Sequence, residues 1–119
     1  MALDADKNIY TTNGLNPSED WLVAVFAAGA NGNVAPIRSI SGSNTGLHDP
    51  AGIALDAGNN VYVTNGNNRV TVYAAGANGN VARIQAISGS NTRLRQPFGI
   101  AVNAEGQIYV MNAPNDQRA

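Results

Sequence analysis

A long internal repeat constrains this chain more than any other feature. The segment VFAAGANGNVAPIRSISGSNTGL, Val25 to Leu47, aligns with VYAAGANGNVARIQAISGSNTRL, Val72 to Leu94, at an offset of about 47 residues, and roughly four positions in five are identical. The alignment continues: Pro50, Gly52, Ile53 and Ala54 fall on Pro97, Gly99, Ile100 and Ala101. Val61-Tyr62-Val63 falls on Ile108-Tyr109-Val110, and Asn65 on Asn112. A third copy opens the chain, with Ala2-Leu3-Asp4 on Ala54-Leu55-Asp56 and Ile9-Tyr10-Thr11 on Val61-Tyr62-Val63. Its offset is about 52, because residues 15 to 20 carry an insertion of about five residues.

Each unit reads as four short strands: Gly52 to Asp56, Val61 to Asn65, Arg69 to Ala75 and Ala82 to Ser88. All are rich in β-branched or aromatic residues and bounded by Gly, Asn or Asp. No stretch between the breakers keeps a helical apolar period. Asn31-Gly32 and Asn78-Gly79 can adopt positive φ and are expected to join the third and fourth strands as tight hairpins. Ser41 to Thr45 and Ser88 to Thr92 are expected to cross between units, and Pro50 and Pro97 to stiffen the start of each innermost strand. A lone four-stranded meander has two apolar faces and cannot bury both. Units stacked face to face around an axis can, so the expected fold is an all-β propeller of four-stranded antiparallel blades.

The repeat sets the domain plan. Blade 1 spans about residues 1–48, blade 2 about 49–95, an inner half-blade about 96–112, and a tail 113–119. First and second strands occur three times, third and fourth strands twice, so the ring is incomplete within one chain. Two chains would supply six inner hairpins, and a homodimer closing a six-bladed ring is the expected assembly.

Composition removes several functions. A formal net charge of −1 and the lack of a basic stripe argue against nucleic-acid binding. No apolar run is long enough to span a bilayer, and the opening MALDADKNIY does not read as a signal peptide. Cys is absent, which excludes disulfides, thiolate zinc sites and a cysteine nucleophile. That absence fits an extracellular bacterial protein and is compatible with a cytosolic one. There is no P-loop or dinucleotide fingerprint, and no Ser/His/Asp triad can be assembled from the pattern.

The segment LHDPAGIALDAGNNVYVTNGNNRVTVY, Leu47 to Tyr73, resembles the NHL repeat at Pro50, Gly52, Ile53, Asp56, Tyr62, Asn67, Asn68 and Arg69. The Asn-Asn-Arg element occurs once, and Asn13, Asn65 and Asn112 stand where many family members carry Asp. The resemblance implies a propeller, commonly of six blades, that usually serves as a binding platform. A minority of similar propellers are metal-dependent lyases or lactonases.

Candidate site residues fall into two groups. Those present in every copy, Asn13, Asn65 and Asn112, read as strand-end side chains bonded to local backbone, or as a ring of amides around a channel. Tyr10, Tyr62 and Tyr109 read as packing between blades. Residues confined to one copy are the better ligand candidates. His48 is the only His, and with Asp49 it could ligate a metal or act as a general base; a surface loop is the plainer reading. Trp21, the only Trp, could stack on a carbohydrate, anchor a protein partner or cap the first blade. Asp4-Ala5-Asp6-Lys7-Asn8 starts like a calcium loop but lacks the required Gly and distal Glu, so it reads as a turn. Ile108 and Val110 mark an assembly edge on the inner half-blade.

These residues favour a non-enzymatic binding or assembly module without metal or cofactor. A metal-dependent lyase or lactonase with an axial site built on assembly, and a designed or excised fragment that only assembles, remain as alternatives.

Overall fold

The structure is a computed structural model that describes residues 1–14 and 21–112. The expected insertion over 15–20 and the tail 113–119 lie outside the described residues. Three antiparallel sheets follow one another along the chain. The first contains β1 (Ala2–Leu3), β2 (Ile9–Asn13), β3 (Leu22–Phe26) and β4 (Arg38–Ile40) in that order. The second contains β5 (Pro50–Leu55), β6 (Val61–Asn65), β7 (Arg69–Tyr73) and β8 (Gln85–Ile87). The third is the hairpin β9 (Pro97–Val102) and β10 (Ile108–Asn112). The chain is thus all-β, with two propeller blades and an inner hairpin. Among the described residues no helix is long and apolar enough to cross a membrane.

The register explains why both faces of a blade are apolar. Val61 lies opposite Tyr73 and Val63 opposite Thr71 on the face toward the first blade. Tyr62 lies opposite Val72 and Thr64 opposite Val70 on the other face, toward the hairpin. Every residue of β6 is buried, because the second blade is covered on both sides. The core runs between the first two blades through Tyr10, Val23, Val25, Ile40, Leu47, Ile53, Val61, Val63 and Tyr73.

Inner strands meet closely at the seams. Thr12 Oγ1 donates to the Ala51 carbonyl at 2.7 Å, and at the next seam Thr64 Oγ1 lies 3.3 Å from the Phe98 carbonyl. A Cβ on Gly52 would overlap that carbonyl, so only glycine lets β5 and β9 approach.

Outer strands differ from expectation. β4 and β8 are three residues each, and long loops, not two-residue hairpins, lead into them. The turn residues are Gly29 and Gly76, both at φ 78°, closing Ala30 N to Ala27 O and Ala77 N to Ala74 O. The second Asn-Gly serves another purpose. Gly79 donates to the Ser39 carbonyl and accepts from Ser41 N, Asn78 Oδ1 accepts from Ser39 N, and Asn80 Oδ1 accepts from Asn44 N. The loop of the second blade therefore clasps the outer strand of the first. That bonding satisfies backbone groups which a short edge strand would leave open.

Candidate functional site

The turn between the first two strands of each unit is built on one side chain. Asp56 Oδ1 accepts from Gly58 N and Asn60 N, and Oδ2 accepts from Asn60 Nδ2 and the Tyr62 hydroxyl. Asp4 repeats all four bonds, with Asp6 N, Asn8 N, Asn8 Nδ2 and the Tyr10 hydroxyl. Burial pushes the Asp56 carboxyl up, and the bonds from Asn60, Tyr62 and Gly58 outweigh it, leaving it below the ordinary carboxylate value. The carboxyl of Asp4 is lowered by the same balance. In the third unit Asn103 takes the place of the acid. Its Oδ1 still accepts from Glu105 N and Gln107 N, while its Nδ2 donates to Gln107 Oε1. These carboxylates are occupied as turn formers. Among the described residues no three His, Cys, Asp or Glu side chains converge on a metal position.

The strand-end Asn residues lock the crossings. Asn65 is fully buried; its Oδ1 accepts from His48 N at 2.9 Å and its Nδ2 donates to Thr71 Oγ1 at 3.0 Å. Asn112 is exposed, yet repeats the lock: its Oδ1 accepts from Arg95 N and its Nδ2 donates to the Arg93 carbonyl. Asn13 is exposed at the end of β2, opposite Leu22. In Asn65 and Asn112 the amide is thus used locally, as side-chain bonding to nearby backbone requires.

The residues confined to one copy are partly brought together. The rings of Trp21 and His48 stand 4.5 Å apart, tilted by 60°. They line a cleft of about 620 Å³ with Ser41, Ser43, Asn67 and Arg69. Trp21 Nε1 and Arg69 Nε are both buried and have no hydrogen-bond partner among the described residues. Asp49 goes elsewhere. Its backbone is left-handed at φ 48°, as is that of Gln96 one repeat on, and its carboxylate lies against Gly14 and Gly66. The expected His48–Asp49 pairing is not among the residues of the cleft. Arg69 was visible in sequence only as part of the Asn-Asn-Arg element; its place beside Trp21 comes from strand β7 starting under the crossing loop.

Ile108 and Val110 are half-buried on β10, whose only partner strand among the described residues is β9. The opposite face of the hairpin is bare: Tyr109 and Met111 are each 60% exposed. No protein-family model matches the chain, and no curated protein matches it.

Proposed function

We propose that this chain is a non-catalytic β-propeller module of the NHL type that assembles with a second copy into a six-bladed ring. One observation carries the reading. Tyr10 and Tyr62 are 2% and 8% exposed, whereas Tyr109, the same position in the hairpin, is 60% exposed. Thr64 is fully buried, while Met111 at its equivalent is exposed to the same extent as Tyr109. The face that two blades bury is apolar and uncovered on the third. At the other end of the arc Met1 is 80% and Leu3 54% exposed. Two unlike apolar ends on one arc suit a head-to-tail contact that closes after two copies. The NHL assignment rests on the pattern from Pro50 to Arg69. Sedimentation of the pure protein should give twice the 12.3 kDa of the chain. A stable monomer at micromolar concentration refutes the ring, and a trimer refutes the blade count.

The Trp21 cleft favours a second role, as a carbohydrate seat. The Trp21 ring with the polar side chains of His48, Ser43 and Asn67 beside it fits a sugar ring and its hydroxyls. Trp21 is the sole Trp, so its fluorescence reports the cleft alone. Titration with mono- and disaccharides should shift that emission saturably; an unchanged spectrum across them rejects this role.

A further inference from the structure

The chain contains the pairs Asn13-Gly14, Asn31-Gly32, Asn65-Gly66 and Asn78-Gly79. An Asn-Gly pair is prone to cyclise, because glycine brings its backbone nitrogen to the asparagine side chain with no Cβ in the way. Two of the pairs lie in loops of identical sequence, AAGANGNVA, over residues 27–35 and 74–82. The loops also share one form. Ala28 N donates to Asn8 Oδ1 and Ala75 N to Asn60 Oδ1, both at 3.1 Å. Gly32 and Gly79 stand at φ 80° and 87°, and their carbonyls accept from Val34 N and Val81 N, both at 3.0 Å. Asn31 and Asn78 are both exposed, so access to water does not separate them. Bonding does. Gly79 N donates to the Ser39 carbonyl at 2.6 Å, and Asn78 Oδ1 accepts from Ser39 N at 3.1 Å. Gly32 N and the Asn31 side chain make no such bond among the described residues.

We infer that Asn31-Gly32 is a site of spontaneous chemical modification, and that the clasp between the first two blades withholds Asn78-Gly79 from the same reaction. The Gly32 nitrogen loses its proton and attacks Cγ of Asn31. The N–Cγ bond forms, the Cγ–Nδ2 bond breaks, and the amide group leaves with a proton as ammonia. Water then opens the cyclic imide at either carbonyl. One product is aspartate, and the other is isoaspartate, whose main chain runs through the former side chain. At Asn78 the proton of the nucleophile is shared with the Ser39 carbonyl, and an amide proton held in this way is not released until the structure opens locally. The bond to Oδ1 also pins the side chain beside β4. The other two pairs are restrained differently. Asn65 is fully buried, and Gly66 N donates to the His48 carbonyl at 2.8 Å. Gly14 lies against the Pro50 carbonyl in the seam, where the backbone has no room to swing. Reaction at Asn78 is one-way in its effect. Isoaspartate adds a methylene before Gly79, which then cannot serve both the Ser39 carbonyl and Ser41 N. The second loop thus records any separation of the first two blades. The inference is independent of ring closure and of the Trp21 cleft.

The test uses the full chain, kept warm in mildly alkaline buffer and sampled over days. Trypsin releases residues 8–38 with Asn31 and residues 70–83 with Asn78, and tandem mass spectra locate each amide turned acid. In urea the two sites should react alike, since their surrounding sequence is the same. In folded protein Asn31 should stay near that rate, and Asn78 should fall about tenfold or more below it. Asn80→Ala removes the bond to Asn44 N and should raise the Asn78 rate without altering that of Asn31. Asn33→Ala is the matching control and should leave the difference between the sites in place. Hydrogen exchange of the parent protein gives a readout that needs no variant: the Gly79 amide should exchange more slowly than the Gly32 amide. Equal rates of modification at Asn31 and Asn78 in folded protein overturn the inference, and so does a rate at Asn31 as low as that of buried Asn65.

Discussion

At the scale of single residues, the three units perform a natural substitution experiment at the first turn. Asp4 and Asp56 accept through both oxygens, and Asn103 can do so through only one. The third unit compensates with Gln107, whose Oε1 accepts from Asn103 Nδ2 where Asn8 and Asn60 donate to the acid. Asp56→Asn alone therefore sets two amide donors against each other, Nδ2 against Asn60 Nδ2. It is expected to cost about 1 kcal/mol, a modest figure because the group is only half-buried. Asp56→Asn with Asn60→Gln should recover part of that loss; urea melts of the two variants check this. The pH dependence has a definite sign. A carboxyl lowered in the folded state adds stability above its unfolded pKa, and that stability disappears as pH falls through the folded value. The acid limb of a thermal melt against pH should thus be shallower in Asp56→Asn than in the parent. At the alkaline end burial and the bond to Asp56 raise the Tyr62 hydroxyl, so its contribution holds below the ordinary tyrosine pKa and is lost as pH rises through the folded one.

At the scale of strands and loops, seams differ in what they tolerate. Gly52 lies under the Phe98 carbonyl, whereas a Cβ on Gly99 would meet only Met111 Cβ at 3.4 Å. In monomeric protein Gly52→Ala should cost about 2–3 kcal/mol through forced separation of β5 and β9, and Gly99→Ala, on the face that a second copy covers, should be close to neutral. Equal losses would contradict this account of the seam. The loop clasp offers a second internal control. Asn78→Ala with Asn80→Ala removes the bonds to Ser39 N and Asn44 N and should cost about 1–2 kcal/mol, while Asn31→Ala with Asn33→Ala should cost little. Much of this level was legible in the chain. The second strands fell where β-branched residues alternate around Tyr10, Tyr62 and Tyr109, because both faces of such a strand are buried. The fourth strands came out shorter than expected, since Gln85 and Ala86 are exposed and only Ile87 turns inward. The Asn-Gly clasp left no local signal: positive φ at Gly79 suits a hairpin turn as well as a reach to the next blade. Trp21 and His48 stood out by occurring once, but their contact is tertiary, and Arg69 joined them only through the register of β7.

At the scale of the whole molecule, the arc of two blades and a hairpin ends on an apolar face. The face holds Tyr109 and Met111, with Gly99 and Ile100 beside them. Covering such a face removes apolar surface from water at about 25 cal/mol per Å², with little contribution from charge on a chain of formal net charge −1. Association should therefore change little between low and high salt, unlike a contact held by ion pairs. Tyr109→Lys places a charge at the centre of that face without touching the seam to the second blade, since Ile108 and Val110 face the other way. The variant should keep its far-ultraviolet circular dichroism and sediment as a monomer at concentrations where the parent is a dimer. Tyr62→Lys provides the contrast, because Tyr62 is 8% exposed within the chain and its loss should lower stability itself. A Tyr109→Lys protein that keeps the parental mass would show that the bare face is not the surface through which copies meet.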